Sequence, residues 1–350
     1  MMKIYKNVFE KIISLENLFS AWDKFSSDKK KKRDVVEFEW ELEQNIFQLH
    51  RDLKNKKYKH ETYTSFYIQD PKQRHIHKAI VRDRVLHHAI FSVLNPIFEP
   101  TFIAHSLSCR VGKGTHKGVD ILGSITKAVS HNIHKSCFAL KCDIKKFFGT
   151  VDHAILMTLL TKRIKDADVM LVLKEIVESF KSEYSNLFQA KGLPIGNLTS
   201  QLFANIYLNE FDQFVKHRLK IENYVRYTDD FVIISDSKTF LENLIEPIRK
   251  FLHDRLALEL HPRKVSIRKL HWGVDFLGYI VLPHHRLLRR KTKQRILRKL
   301  HKRVSEYKSG IITKQTLEQS LQSYLGVLSH ANTHKFGDEL KNQFWFWLSE

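Results

Sequence analysis

The sequence predicts an α+β protein with a small antiparallel sheet, surrounding helices and a helical unit towards its C-terminus. Three observations lead to this expectation. Apolar residues recur at helical spacing in residues 1–55 and 154–182. Segments rich in β-branched and aromatic residues lie between the helical segments. Residues 286–308 combine an apolar helical face with a dense positive charge. We expect residues 1–284 to form the α+β part and residues 285–350 the helical unit.

Composition restricts the function classes. The 350 residues include 59 Lys and Arg against 38 Asp and Glu, a net charge of +21. This surplus favours a polyanionic partner, although a soluble protein with a basic surface is the alternative. Cys109, Cys137 and Cys142 lack Cys-x-x-Cys spacing, which argues against a zinc site and a disulfide framework. With no signal-peptide core and no long apolar span, we expect a cytoplasmic protein without a membrane partner.

The N-terminal half predicts helices, then a hairpin, then a glycine-rich loop. The pattern indicates helices over residues 1–55, strand-like stretches at Tyr63–Ile68 and Lys72–Ile76 separated by Asp70-Pro71, and a helix from Val81. Lys72 and Arg74 on that hairpin have the chemistry to hold a triphosphate. Residues 108–116 precede a helix at 119–129 and do not match a Walker loop.

Two later segments carry acidic residues in strand-like settings. Residues 137–144 alternate like a strand, which puts Lys141 and Asp143 on one face. Residues 224–234 predict a hairpin with Asp229-Asp230 at its tip. Each acid alone has an ordinary explanation, as an edge residue or as part of a solvated turn. Together, converging carboxylates would bind two hard cations, Mg²⁺ or Mn²⁺ as its substitute.

The remaining segments predict loops and helices around these acids. Thr199 or Ser200 is expected to cap a helix after the loop at residues 192–201. A helix at 240–256, a strand and turn at 258–267 and a strand at 276–281 follow the hairpin. The basic segment 286–308 and a helix at 317–328 are expected to grip a phosphate backbone.

From about Tyr67 to Tyr279 these motifs, in this order, resemble reverse transcriptases of the bacterial kind. Lys72-Gln73-Arg74 resembles the fingers segment, Asp143–Phe148 the first palm motif, and Tyr227–Asp230 the Y-x-D-D box. Lys264 and Phe276–Tyr279 resemble the palm lysine and the primer grip. The resemblance implies a right-hand polymerase with fingers, an antiparallel palm sheet and a basic helical thumb. It implies that an RNA template, dNTPs and an RNA–DNA hybrid are bound.

The resemblance also implies roles for individual residues. Asp143, Asp229 and Asp230 would be catalytic and would hold the metal ions together with Ile144. Phe148 would exclude a 2′-hydroxyl, whereas Phe147 is expected to be core. The residues expected to contact the nucleotide are Lys72, Arg74, Phe148, Ile195, Gly196, Gln201 and Lys264. Those expected to contact template or primer are Arg110, Lys113, Tyr227, Gly278, Arg289, Arg290 and Lys293.

Residues 108–116 and 193–201 are most similar to the enzymes of diversity-generating retroelements, which copy RNA with errors at adenines and use a small helical accessory protein. Ile195 stands where many accurate enzymes carry glutamine. An antiphage-defence reverse transcriptase making a defined, repetitive or untemplated DNA is the alternative, and an RNA-binding protein with a decayed polymerase core is the non-enzyme alternative. Retrons fit less well for lack of Val-Thr-Gly, and group II intron enzymes for lack of further domains.

Overall fold

The computed structural model describes residues 3–69, 72–132 and 134–350. Its helices are α1 Phe9–Ile13, α2 Leu15–Ser26, α3 Arg33–Trp40, α4 Leu42–Lys54, α5 Val81–Phe98, α6 Thr115–Val129, α7 Phe147–Thr150, α8 His153–Thr161, α9 Ala167–Glu178, α10 Leu198–Gln213, α11 Lys238–Leu256, α12 Arg290–Lys308, α13 Lys314–Ser329 and α14 His334–Ser349. In this part of the chain, no helix has the length and apolar character needed to cross a bilayer.

Within the described residues, nine strands form three separate sheets of two, four and three strands. The strands are β1 Thr64–Ile68, β2 Arg74–Lys78, β3 Phe138–Asp143, β4 Tyr224–Tyr227, β5 Asp230–Ser235, β6 Ser266–Lys269, β7 Val274–Phe276, β8 Tyr279–Val281 and β9 Arg286–Leu288. β1 pairs with β2, and β7–β9 form a meander. The central sheet has the order β4-β5-β3-β6, with antiparallel pairs at β4–β5 and β3–β6.

By contacts the chain divides into two compact units built from interleaved segments. The first unit comprises the residues up to Cys109, Asp143–Ile221 and Glu246–Arg263, and the second comprises Arg110–Cys142, Glu222–Ile245 and the residues from Lys264. The division therefore falls at the last residue of β3 and inside α11. The boundary expected at residue 284 stays a prediction.

The first unit is mainly helical and is built around α5. This helix packs against α2 and α10, and its side chains Val85, Leu86 and Leu94 are fully buried. Because apolar residues lie on every side of α5, it is a core helix rather than an amphipathic surface helix. Tyr207 on α10 donates a 2.6 Å hydrogen bond to the carbonyl of Leu256. Burial of this side chain raises the pKa of its phenol.

The second unit contains most of the central sheet, the meander and the last three helices. Helix α6 packs against β4 and β5, and these two strands are almost entirely buried. Ile296, Leu300 and Val304 of α12 are buried, as the helical spacing predicts. The opposite face of α12 carries the dense positive charge. Helix α14, which packs against α12 and α13, was not foreseen from the sequence.

Two local expectations were wrong. Helix α10 begins at Leu198 after Asn197, so neither Thr199 nor Ser200 is the capping residue. Residues 276–281 do not form one strand, because Leu277 and Gly278 have φ values of 50° and 93°. Positive φ at both central residues is the signature of a tight hairpin turn, here between β7 and β8.

Candidate active site

The two adjacent aspartates lie on the hairpin β4–β5. Tyr227 pairs with Asp230 in the ladder, so Thr228 and Asp229 are the two residues of the turn. Thr228 has a φ of 52°, an unfavourable conformation for a β-branched residue. The turn therefore stores local strain at the acidic motif, as is common at functional sites.

A buried arginine forms a hydrogen bond with the backbone of this turn. Arg226 is fully buried, and its guanidinium donates a 3.1 Å hydrogen bond to the carbonyl of Thr228. Removing one partner of a buried charged hydrogen bond is costly, so this contact holds the backbone of the turn in place. Sequence reasoning missed the role of Arg226. Its only signal is a positive charge inside an otherwise apolar and aromatic strand.

The sheet order relates the hairpin to the third predicted acid. Strand β5, which begins at Asp230, is the neighbour of β3, which ends at Asp143. The ammonium of Lys141 lies 3.4 Å from Oδ2 of Asp230, so the end of β3 lies beside the start of β5. Asp143 follows Lys141 by two positions, and strand periodicity directs both side chains to one face of the sheet.

The backbone at the end of β3 favours a role for Ile144 in metal binding. The amide of Lys145 donates to the carbonyl of Glu259 at 2.8 Å, and the amide of His261 donates to the carbonyl of Asp143 at 2.8 Å. Ile144 lies between these bonds, opposite Leu260. In this antiparallel pattern the carbonyl of Ile144 points away from Leu260, towards the other edge of β3.

The donor set fits hard divalent cations. Carboxylate and backbone carbonyl oxygens are the ligands that Mg²⁺ prefers. Among the residues that the structure describes, however, no three His, Cys, Asp or Glu side chains are gathered closely enough to hold an ion.

The predicted nucleotide-binding residues lie on several elements, all of them in the first unit except Lys264, which belongs to the second. Lys72 and Arg74 are exposed; Lys72 precedes β2, and Arg74 is the first residue of that strand. Phe147 is core, as expected, whereas Phe148 is half-buried with its ring at an edge-on angle to that of Phe147. Gln201 is exposed in the first turn of α10. Their roles stay predictions.

The loop before α10 is fastened to β2. The amide of His77 donates to the carbonyl of Ile195 at 3.0 Å, and the side-chain amide of Asn197 donates to the carbonyl of His77 at 3.1 Å. Gly196 has a φ of 120°, and a Cβ there would lie 2.9 Å from Cγ2 of Ile76. Only glycine allows this approach, so the sequence around Ile195 is shaped by the hairpin β1–β2.

The predicted template and primer residues lie on two turns, at the end of β4 and around the start of α12. Arg110 and Lys113 belong to one turn, joined by a 3.2 Å backbone hydrogen bond. Gly278 is the second residue of the β7–β8 turn, and its carbonyl accepts from the amide of Arg289 at 3.2 Å. The guanidinium of Arg289 pairs with Asp275. The other predicted positions are Tyr227, which is half-buried, Arg290, which is exposed, and Lys293, whose ammonium lies 5.1 Å from the ring centre of Phe336.

Comparison with known proteins identifies the family. The family model described as reverse transcriptase (RNA-dependent DNA polymerase) matches residues 68–281, more than half of the chain. The chain belongs to the reverse transcriptase family. This reverse transcriptase is 28% identical over 247 residues to protein YkfC of Escherichia coli K12, covering 61% of the chain and 62% of YkfC. It is 23% identical to the group II intron-encoded protein LtrA of Lactococcus lactis subsp. cremoris, covering 87% of the chain and 58% of LtrA.

The fold of this reverse transcriptase is the expected right-hand polymerase fold. A solved structure of telomerase from Candida albicans, in complex with a fragment of telomeric RNA, matches 88% of this chain and 58% of the telomerase chain with a TM-score of 0.50 and 13% identity. LtrA is a group II intron protein, and the sequence motifs alone made group II intron enzymes a less favoured subfamily. This reverse transcriptase spans about 60% of the length of YkfC and LtrA.

Proposed function

We propose that this protein is an RNA-directed DNA polymerase that adds deoxynucleotides to a 3′-hydroxyl. The observation that carries the proposal is the β5-β3 pairing, in which the strand that begins at Asp230 lies beside the strand that ends at Asp143. Membership of the reverse transcriptase family supports it. A decayed polymerase core is the weaker alternative, because the chain retains all three acids.

In this proposal each residue has a defined task. Asp143, Asp229, Asp230 and the carbonyl of Ile144 would hold two Mg²⁺ ions. Metal bound there would supply positive charge for activating the attacking hydroxyl and neutralising the leaving pyrophosphate. Four other residues act on the incoming nucleotide. Lys72 and Arg74 bind its triphosphate, and Phe148 excludes nucleotides that carry a 2′-hydroxyl. Lys264 supplies a proton to the leaving pyrophosphate. The basic face of α12, with Arg290, holds the phosphates of the RNA–DNA hybrid, and this binding should weaken steeply with salt.

The first test is primer extension on an RNA template by the purified protein with dNTPs and Mg²⁺. We expect Asp229→Asn to lower synthesis at least about a thousandfold, because a neutral amide is a poor metal ligand. RNA affinity should change less than about twofold. Asp236→Asn is the matched control, because it removes the same charge just after the other end of β5. Normal synthesis by Asp229→Asn would contradict the site assignment.

We further propose that the protein belongs to a diversity-generating retroelement, acts in the cytoplasm and works with a small helical accessory protein. Residues 108–116 and 193–201 support this finer assignment. The side chain at Ile195 has no hydrogen-bonding group, which would relax discrimination of the incoming base. The backbone of Ile195 is held by His77, so its side chain is replaceable without loss of the loop's anchor.

Fidelity measurements test this finer proposal. Sequencing of the DNA made by the wild-type protein should show substitutions concentrated opposite template adenines, and Ile195→Asn should reduce them by roughly threefold or more. Ile195→Val, which keeps an apolar side chain, is the matched control. Faithful, repetitive or template-free products would instead favour the antiphage-defence class.

A further inference from the structure

Lys141 is the central residue of a polar chain on the active-site face of the sheet. Its ammonium lies 3.4 Å from Oδ2 of Asp230 on β5 and donates a 2.6 Å hydrogen bond to the carbonyl of Asp275 on β7. The side chains of Lys141 and Asp230 are only 23% and 22% exposed. Because both groups are largely withdrawn from water, their attraction is screened less than that of a surface pair.

The chain of contacts continues from β7 to the basic helix. The carboxylate of Asp275 pairs with the guanidinium of Arg289, the residue that precedes α12. The amide of Arg289 in turn donates to the carbonyl of Gly278 in the β7–β8 turn. A polar path thus runs from the acidic hairpin through β3 and β7 to the start of α12.

A small cavity beside Lys141 is strongly cationic. It has a volume of about 200 Å³ and is lined by Ala139, Lys141, Lys264, Ser266, Arg268, Val274 and Asp275. Three of these residues carry positive charge and one carries negative charge. Lys141 therefore has like charges on one side and the Asp230 carboxylate on the other, which favours the orientation of its ammonium towards Asp230.

We propose that Lys141 is a positioning residue that acts as a resident counter-ion of Asp230 and lowers the affinity of the site for divalent cations. The inference rests on the proposed function, because it takes Asp230 as a metal ligand. A cation that arrives at Asp230 meets the positive charge of Lys141 and must displace or share that ammonium. The positive charge of Lys141 thereby lowers the affinity of Asp230 for a divalent cation. The hydrogen bond from Lys141 to the carbonyl of Asp275 would keep the ammonium close to β3 once a cation binds the Asp230 carboxylate.

The test measures Mn²⁺ binding directly, by electron paramagnetic resonance of the protein without nucleic acid. Lys141→Met keeps the length of the side chain and removes its charge. We expect it to bind Mn²⁺ roughly tenfold more tightly than wild type, because one nearby positive charge is gone. Lys141→Arg should stay within about twofold of wild type, because the charge is retained.

Lys145→Met is the matched control. Lys145 follows Asp143 by two residues as Lys141 precedes it by two, but its ammonium is paired with Glu259 at 2.8 Å. Its Mn²⁺ affinity should stay within about twofold of wild type, because the lost charge was already neutralised. If Lys145→Met and Lys141→Met gained Mn²⁺ affinity equally, the change in net charge would explain the effect, and the proposal would be overturned.

Amide hydrogen exchange separates positioning from a purely structural role. Loss of the Lys141–Asp275 bond should speed exchange in Val274–Val281 of Lys141→Met. Faster exchange with unchanged Mn²⁺ affinity would overturn the proposal and leave Lys141 as a structural link. If Lys141→Met does not fold, Lys141→Gln takes its place in the same comparison. A wild-type protein that binds no Mn²⁺ would overturn both this inference and the proposed metal site, whereas a failure confined to Lys141→Met leaves the polymerase proposal intact.

Discussion

Thr228 is held in a backbone conformation that its side chain disfavours. Its φ of 52° at the turn between β4 and β5 is one that glycine adopts freely and β-branched residues avoid. The hydrogen bond from Arg226 to the carbonyl of Thr228 helps to hold this conformation. The strain is local to the residue that precedes Asp229, and it therefore bears on how the two acids are presented.

Replacing Thr228 by glycine should release this strain. We expect Thr228→Gly to raise the free energy of unfolding by about 1 kcal/mol. Glycine removes the backbone strain of a β-branched residue at positive φ, and this gain exceeds the entropy cost of introducing a glycine. Thr228→Val, which keeps a β-branched side chain at the same φ, should not stabilise the protein. Urea denaturation of the three proteins checks the order. Equal stabilisation by glycine and valine would show that the hydroxyl, rather than φ, is responsible.

At the residue scale the sequence predicts identities better than partners. Asp143, Asp229 and Asp230 are predicted as site residues because acids at strand ends and hairpin tips form a recognisable pattern. Arg226 and Lys141 were not assigned, since the partner of a charged residue inside a strand depends on which strands become neighbours. That order, β4-β5-β3-β6, does not follow the chain, so local patterns do not contain it.

At the scale of elements, the hairpin β1–β2 and the loop before α10 form one assembly. His77 is bonded through both backbone groups to that loop, and Gly196 lies against Ile76. Two exposed strands alone would be marginal in water. The loop therefore fixes the base of the hairpin that carries Lys72 and Arg74, which explains why Gly196 is needed there.

A methyl group at Gly196 should disturb this assembly. Gly196→Ala meets Ile76 at 2.9 Å and has an unfavourable φ of 120°, so the loop must move. We expect at least about a tenfold loss in kcat/KM for dNTP, because misplaced positioning groups are costly in catalysis. Gly123→Ala is the matched control, since Gly123 lies within α6 with no atom within 4 Å of the added Cβ. Unchanged kinetics in Gly196→Ala would contradict a positioning role for the loop.

Helices were predicted more completely than turns and caps. Periodic apolar residues indicated helices over residues 1–55, from Val81 onwards and over 286–308, where the structure has α1 to α4, α5 and α12. The turn Leu277-Gly278 was hidden because Phe276, Leu277 and Tyr279 read as a strand, and φ is not visible in residue type. Helix α14 was missed, although its buried residues Phe336, Leu340 and Phe344 recur every four positions.

At the scale of the whole molecule, buried histidines should make the fold sensitive to acid. Burial, helped by Lys29, Lys24 and Arg84, lowers the pKa of His88 from 6.5 to about 4. Burial likewise lowers the pKa values of His87 and His153. Between pH 6.5 and 4 the unfolded chain binds protons that the folded chain does not. The free energy of unfolding therefore decreases as the pH is lowered through this range.

Thermal unfolding at pH 7.5 and pH 5 tests this expectation. The wild-type Tm should be lower at pH 5, and His88→Gln should reduce the difference without abolishing it, since His87 and His153 contribute in the same direction. His334→Gln, which changes an exposed histidine at the start of α14, should leave the difference unchanged. An identical pH response of His88→Gln and wild type would exclude His88 as a contributor.

The position of β3 in the central sheet also affects how the chain is made. Its partner β6 begins at Ser266, more than a hundred residues after β3 ends at Asp143. At roughly 5–20 residues per second, a ribosome exposes β3 for about ten seconds before that partner exists. During this interval the backbone edge of β3 that β6 later covers is open to other chains, as are the apolar side chains Ala139, Leu140 and Cys142. Nascent chains stalled before Ser266 are therefore expected to depend on chaperones for solubility, whereas the completed sheet buries this edge.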